Sequence, residues 1–173
     1  TGMGGLAIKK LGFSLPEEVT PVALATLIGG VLFLAVEWWL KGRAPSLEVT
    51  WTVAVGMAVA QLLAAIFPGL SRSGSTILVA LMFGLARPQA AEFSFLLGIP
   101  TLLAAAAQET FDAVKDPPPY PIDWGMVLLG AAVSAVTAFV AVRWLLGYVQ
   151  GNTFNAFGVY RVVLGVVILA AMR

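Results

Sequence analysis

Long apolar segments with only short polar breaks run through most of this 173-residue chain. An α-helix needs about 20 consecutive, mostly apolar residues to cross a bilayer. We predict four such spans, at about residues 19–40, 89–114, 124–142 and 154–172. Charged residues are 11% of the chain, against about 25% in a soluble domain. Since the alternation typical of membrane strands is absent, the sequence predicts an all-α, polytopic membrane bundle that forms one domain over residues 1–173.

The residue inventory also excludes several kinds of chemistry. Cysteine and histidine are both absent. The chain therefore offers no thiolate or imidazole ligand for a metal and no histidine for a Ser-His-Asp triad. The net charge is +1 and the basic residues are scattered, so no basic face indicates a nucleic-acid partner.

Two apolar segments are too short to span independently, and a polar segment separates them. The first covers residues 51–67 and the second residues 77–86, with polar residues 68–76 in between. A ten-residue helix rises only about 15 Å, so the second segment cannot cross a membrane. Non-helical backbone at membrane depth is tolerated where it lines a cavity or is buried in protein. We therefore predict a re-entrant helix-loop-helix hairpin over about residues 51–86, with the glycine-rich segment 69–76 as its loop.

The predicted loop combines residue types that suit an anion with several oxygens. Arg72 carries a planar set of donors that matches phosphate oxygens, and two glycines, Gly69 and Gly74, allow close backbone approach. The next helix would direct its N-terminus at the loop. The hydroxyl groups come from Ser71, Ser73, Ser75 and Thr76. The segment predicts a phosphate or diphosphate site.

The run Pro68-Gly69-Leu70-Ser71-Arg72-Ser73-Gly74-Ser75-Thr76 resembles the P-G-x-S-R-S-x-x-T motif of the bacitracin-resistance family, the undecaprenyl-diphosphate phosphatases. The similarity extends over essentially the whole chain. It includes the span with Gly29-Gly30 that ends in Glu37, the stretch Glu92-Phe93-Ser94-Phe95-Leu96-Leu97 with Pro100, and Tyr160-Arg161.

The resemblance implies a bacterial inner-membrane hydrolase acting on a diphosphate anhydride. Such enzymes remove the terminal phosphate from the C55 isoprenoid diphosphate, which returns the lipid carrier to peptidoglycan synthesis and confers bacitracin resistance. The family uses a divalent cation, here Mg²⁺ or Ca²⁺. Its fold is two inverted repeats, each with a re-entrant hairpin, and its active site faces the periplasm. The implied partners are the isoprenoid lipid diphosphate and membrane lipid, with a homodimer as a candidate assembly.

Carried over to this chain, the resemblance assigns catalytic roles to Ser71, Arg72 and Thr76. We expect Ser71 to contact phosphate, since no base in the chain is positioned to activate it as a nucleophile. Glu92 is a further candidate, either in the site or paired with Arg72 or Arg87. The phosphate-binding set implied is Gly69, Ser71, Arg72, Ser73, Gly74 and Thr76.

One part of the family pattern is missing. In the family an E-x-x-x-E run followed by Ser and His lies near the N-terminus of the first repeat, and this chain has neither the run nor any histidine. The chain also begins at Thr1 without an initiator methionine. We interpret it as the latter two-thirds of such an enzyme, without the N-terminal repeat. On this interpretation the cation ligands lie outside the chain, which is incomplete as an enzyme by itself.

Two other charged residues and one other function class need an interpretation. Glu37, beside Trp38 and Trp39, is expected near the membrane interface. Arg161, within the last span, needs a carboxylate or carbonyl partner, and structural pairing is favoured over substrate contact. From the physics of broken helices alone, a transporter or lipid flippase binding a phosphorylated substrate is equally consistent; the motif favours the enzyme.

Overall fold

The computed structural model describes residues 19–67, 69–117, 119 and 121–172. Thr1, where the chain begins, and Pro68 of the motif lie outside these residues. The described part is helical, and it contains no strand beyond an isolated bridge between Ser46 and Leu85. The six helices are α1 (Val19–Trp39), α2 (Trp51–Ile66), α3 (Arg72–Met82), α4 (Arg87–Lys115), α5 (Trp124–Gly151) and α6 (Asn155–Ala171).

Three of the six helices, α1, α4 and α5, are long and apolar enough to cross a membrane. This confirms the all-α membrane fold, and the protein is a multi-pass membrane protein. α6 is apolar but has 17 residues, which is near the short limit for a span. The predicted third span ends before Arg143, whereas α5 continues past it to Gly151, because nothing in residues 143–150 breaks a helix.

Helices α1 and α6 form the closest packed pair, and glycines allow it. A Cβ atom on Gly30 would lie 2.8 Å from the Gly158 carbonyl oxygen, and one on Gly165 would lie 2.8 Å from the Leu27 Cβ. Both distances are shorter than real Cβ contacts, so only glycine fits there. Small residues bring helix backbones together in membranes in this way.

The helices α2 and α3 pack against each other, and α3 also contacts α4 and α1. The 11 residues of α3 rise about 16 Å, about half of a bilayer core. The far end of α3 is joined to the segment after α1, because the Ser46 amide donates to the Gly84 carbonyl (2.8 Å) and the Ala86 amide to the Ser46 carbonyl (2.8 Å). The re-entrant position of helices α2 and α3 within a membrane stays a prediction, and so does the inverted repeat.

The buried core lies where α1, α3 and α4 meet. Phe33 of α1, Leu81 of α3 and Ala90 of α4 are each at most 1% exposed. In contrast, Val149 is the only buried residue of α5. The core therefore holds α3 at the centre of the molecule, and the start of α3 is where the motif lies.

Candidate functional site

Helix α3 begins inside the polar motif, at Arg72, and Ser71 is its N-cap. The Ser71 Oγ accepts a hydrogen bond from the Gly74 amide (3.1 Å), which satisfies one of the N–H groups that a helix start leaves without a partner. The prediction of a loop through residue 76 was therefore wrong. Residues 72–76 form the first turn and a half of α3, and the amide groups and positive dipole end of that turn face the segment before Ser71.

Gly69 makes the sharp turn that leads into α3. Its φ is +90°, a conformation that residues with a Cβ rarely adopt. A Cβ there would also lie 2.5 Å from the Val22 carbonyl oxygen, so the turn packs directly on the backbone of α1. Gly74, in contrast, is an ordinary helical residue, and its predicted backbone freedom is not used. Its small size matters instead, since a Cβ would lie 3.0 Å from the Ser71 Cβ.

Thr76 fastens α3 to α4. It is 1% exposed, and its hydroxyl lies 2.6 Å from the Ser94 Oγ and 2.9 Å from the Ser73 carbonyl oxygen. Ser94 is itself buried. The Thr76 hydroxyl is thus engaged within the protein, although the residue borders a cavity.

Two cavities flank the first turn of α3, and the motif residues are divided between them. One, of about 310 Å³, lies towards α4 and is bordered by Arg72, Ser73 and Thr76. The other, of about 270 Å³, lies towards α1 and is bordered by Ser71 and Ser75. From the sequence we expected all of these side chains to contact one ligand. In the fold, consecutive residues border different cavities on opposite sides of the same helix turn.

Arg72 extends towards α4. A Cβ on Gly98 would lie 3.6 Å from the Arg72 Nη2, an ordinary contact distance, so the guanidinium lies beside that helix. Over the described residues Arg72 has no ion pair. Gln61, which is 2% exposed and donates to the Thr101 hydroxyl (2.7 Å), borders the same cavity. Sequence reasoning missed Gln61, whose only signal is a polar residue in an apolar helix.

Arg161 reaches the motif from α6. It is 7% exposed, and its Nη2 donates to the Gly69 carbonyl oxygen (3.1 Å), which also accepts from the Thr26 hydroxyl (3.5 Å). Arg161 borders the same cavity as Ser71 and Ser75. The carbonyl partner expected for Arg161 is confirmed, but that this carbonyl belongs to the motif could not be read from the sequence.

Two carboxylates, Glu37 and Glu92, were considered in the sequence analysis. Glu37 is 1% exposed and therefore buried within the protein, and its depth in a membrane stays a prediction. Its two carboxylate oxygens share the single Arg87 Nε–H (2.9 and 3.1 Å), and they also accept from the Arg87 Nη2 and from the Phe154 amide (2.9 Å). Of the alternatives considered for Glu92, an ion pair with Arg72 or Arg87 is not found, since Arg87 and Glu37 form the one ion pair in the described part of the chain. Glu92 is exposed.

The family resemblance implies a divalent cation, which would need clustered carboxylates in a chain without histidine and cysteine. Over residues 19–67, 69–117, 119 and 121–172, no three carboxylates cluster in a way that could hold a metal ion. The residues described here therefore do not fit the cation that the family resemblance implies, and we assign it no step.

The fold and the site define a multi-pass helical membrane protein in which a short internal helix begins between two small cavities, each bordered by an arginine. The sequence matches the family described as "Bacitracin resistance protein BacA" over residues 1–167. The chain belongs to this family.

Curated relatives give the same picture. A protein from Rhizobium etli named "Undecaprenyl-diphosphatase" is 46% identical over 170 residues, and proteins of the same name from Xanthomonas axonopodis pv. citri and Xylella fastidiosa are 42% and 41% identical. Each alignment covers 98% of this chain. The chain spans 64% of the Rhizobium and Xanthomonas proteins and 65% of the Xylella protein.

Proposed function

We propose that the full-length protein containing this chain is an undecaprenyl-diphosphate phosphatase. Water cleaves the P–O–P anhydride of the lipid diphosphate, and the products are the lipid monophosphate and inorganic phosphate. The proposal is supported by membership of the family and by the names of the relatives. The observation that carries it is the Ser71-capped start of α3 with Arg72 beside it.

The role of this region is to hold and neutralise the diphosphate. A helix N-terminus favours anions through its free amide groups and dipole. Arg72, which forms no ion pair within the described residues, supplies a guanidinium that binds phosphate oxygens in a bidentate manner. Donors already in place where charge increases on the leaving group and on the transferred phosphoryl group stabilise the transition state. Ser71 contributes through its cap, which orients the amide groups of the turn.

The rest of the proposal follows from the family. Hydrolysis depends on Mg²⁺ or Ca²⁺, whose ligands lie outside the residues described here. The site opens to the periplasmic side of a bacterial inner membrane, and the activity recycles the carrier for cell-wall synthesis and confers bacitracin resistance. A homodimer is part of the same proposal.

The test is phosphate release from undecaprenyl diphosphate by the detergent-purified, full-length protein with added Mg²⁺ or Ca²⁺. Arg72→Lys keeps the charge but loses the bidentate geometry. Losing one charge-assisted hydrogen bond costs about 1.5–3 kcal/mol, so kcat/KM should fall about tenfold to a hundredfold. The matched control is Arg43→Lys, because Arg43 is exposed and lies over the Trp39 ring (3.8 Å), away from the motif.

Two results would contradict the proposal. If Arg72→Lys hydrolyses the lipid diphosphate at the parent rate, the phosphate-binding role assigned to Arg72 is wrong. No phosphate release by the parent, together with movement of the lipid diphosphate across a vesicle membrane, would favour the lipid flippase, which the broken-helix geometry of α2 and α3 also suits.

A further inference from the structure

Arg87 and Arg161 differ in whether a carboxylate neutralises their charge. Arg87 is paired with the Glu37 carboxylate. Arg161 is more deeply buried, at 7% exposure, yet over residues 19–67, 69–117, 119 and 121–172 it has no carboxylate partner. A buried cation without a counter-charge is strongly destabilising. An anion bound beside Arg161 would remove this cost.

The hydrogen bonds of Arg161 leave donor capacity unused. A guanidinium has five N–H donors. The structure assigns one bond, from Nη2 to the Gly69 carbonyl oxygen, and the Nε is buried with no partner among the described residues. A ring contact with Phe157, 5.8 Å from Cζ to the centroid, offers no acceptor oxygen. Arg161 therefore keeps donors for a ligand while it holds the motif backbone.

The location of Arg161 beside the motif indicates what kind of ligand its free donors would bind. It borders the cavity on the α1 side of the first turn of α3, together with Ser71 and Ser75. Arg72 borders the cavity on the α4 side. The Arg161 Nη2 lies 3.1 Å from the carbonyl oxygen of Gly69, three residues before Arg72, so both arginines border the start of α3 from different sides.

We propose that Arg161 is a second phosphate-binding residue, so that Arg72 and Arg161 each meet one phosphate of a prenyl diphosphate. This inference rests on the proposed function. A monophosphate can engage only one of the two arginines. The pair therefore makes the site bind the diphosphate substrate in preference to the monophosphate product, which promotes product release.

Gly29 provides a way to move this guanidinium without removing its charge. A Cβ on Gly29 would lie 2.8 Å from the Arg161 Nη2 and 3.3 Å from its Cζ. The clash is with the far end of a flexible side chain, so Gly29→Ala displaces the guanidinium and leaves the backbone in place. In Gly30→Ala the clash is with backbone atoms, the Gly158 oxygen and the Val162 nitrogen, both at 2.8 Å, so that variant loosens the packing of α1 on α6. Gly130 of α5 has nothing within 4 Å, and Gly130→Ala is the neutral control.

The experiment measures kcat and KM of the full-length protein with farnesyl diphosphate, and the inhibition constant of farnesyl monophosphate. For Arg161→Gln we expect KM to rise about tenfold or more, as the loss of a charge-assisted contact implies, while the inhibition constant of the monophosphate changes less than about threefold. Arg161→Lys should give an intermediate KM, Gly29→Ala should change KM in the same direction, and Gly130→Ala should match the parent.

A purely structural Arg161 gives a different pattern. The amount of folded protein and its unfolding temperature would fall in Arg161→Gln, as in Gly30→Ala, with the KM of the folded fraction unchanged; this result would overturn the inference. If Arg161→Gln does not fold, an unchanged KM in Gly29→Ala overturns it instead. An equal rise in KM and in the inhibition constant would refute the preference for diphosphate.

Failure of the proposed function is separately visible. If the parent releases no phosphate, binding of farnesyl diphosphate is measured by calorimetry on the same proteins. A tenfold weaker affinity in Arg161→Gln would then preserve the second arginine site without the enzyme, and an unchanged affinity would remove it.

Discussion

Glu37→Ala is expected to destabilise the protein more than any exposed substitution, because Glu37 joins three helices. Its carboxylate is 1% exposed and accepts from the Arg87 Nε of α4 and from the Phe154 amide at the start of α6. Removing one partner of a buried pair costs about 3–5 kcal/mol. The Arg87 side chain is 30% exposed, so water recovers part of this, and we expect about 2–3 kcal/mol from the ion pair.

A second contribution comes from the Phe154 amide, which would be left buried without an acceptor at a cost of about 1–2 kcal/mol. The sum is about 3–5 kcal/mol, and a change of 1 kcal/mol shifts the unfolding temperature by about 2–4 °C in a chain of this size. Thermal unfolding in detergent micelles should therefore show a fall of about 6–20 °C. Glu37→Gln keeps an acceptor for the amide and should lie between this variant and the parent.

The matched control is Glu48→Ala, since Glu48 is an exposed carboxylate nine residues beyond α1 and should change stability by less than about 0.5 kcal/mol. The double variant Glu37→Ala with Arg87→Ala should be less destabilised than the sum of the single variants, because it leaves no unpaired buried charge. If the effects of the two single variants simply add in the double variant, the reasoning is wrong. It is also wrong if Glu37→Ala unfolds within 2 °C of the parent, on the scale of about 2–4 °C per kcal/mol.

Two other substitutions test the geometry around the start of α3. Thr76→Val keeps the shape but removes the hydroxyl that contacts Ser94, so urea or thermal unfolding should show a loss of about 1–3 kcal/mol; Thr76→Ser should restore most of it, and equal stability of the valine variant would contradict the role of this contact. Gly69→Ala combines a φ of +90° with a Cβ 2.5 Å from the Val22 oxygen, whereas Gly42→Ala has a φ of +79° and nothing within 4 Å. Gly42→Ala should therefore lower the free energy of unfolding by about 1 kcal/mol. Gly69→Ala should lower it by at least about 2 kcal/mol more and should also lose activity. Similar unfolding temperatures for the two variants would mean that the turn does not pack on α1.

The sequence predicted the helices well, because helix formation in an apolar chain depends mainly on local features. Apolar length predicted α1 and α4 to within about two residues of their observed ends. Two ends were predicted wrongly: α5 continues past residue 142 to Gly151, and α3 begins before residue 77. Helix α3 begins at Arg72, earlier in the chain than predicted, because the Ser71 hydroxyl caps it. A serine hydroxyl can cap a helix only in the right backbone geometry, which residue types alone do not specify.

The surroundings of the motif were predicted in part. The segment 69–76 contacts α1, α4 and α6, and a buried arginine in an apolar helix correctly signalled that Arg161 needs a partner. The partners themselves were not predictable. Glu37 and Phe154 are 117 positions apart in the chain, and Arg161 and Gly69 are 92 apart.

By itself, then, the sequence determined the class of protein and its family resemblance, and it marked the motif as the candidate for phosphate binding, because hydropathy, residue type and short spacing are local properties. Only the tertiary structure decided that Glu37 is a buried connection between helices, that the motif serves two sides of one helix turn, and that Arg161 reaches the motif from α6. These features depend on how helices far apart in the chain pack, and that packing is controlled by small residues such as Gly30 and Gly158, whose effect is visible only when both backbones are in place.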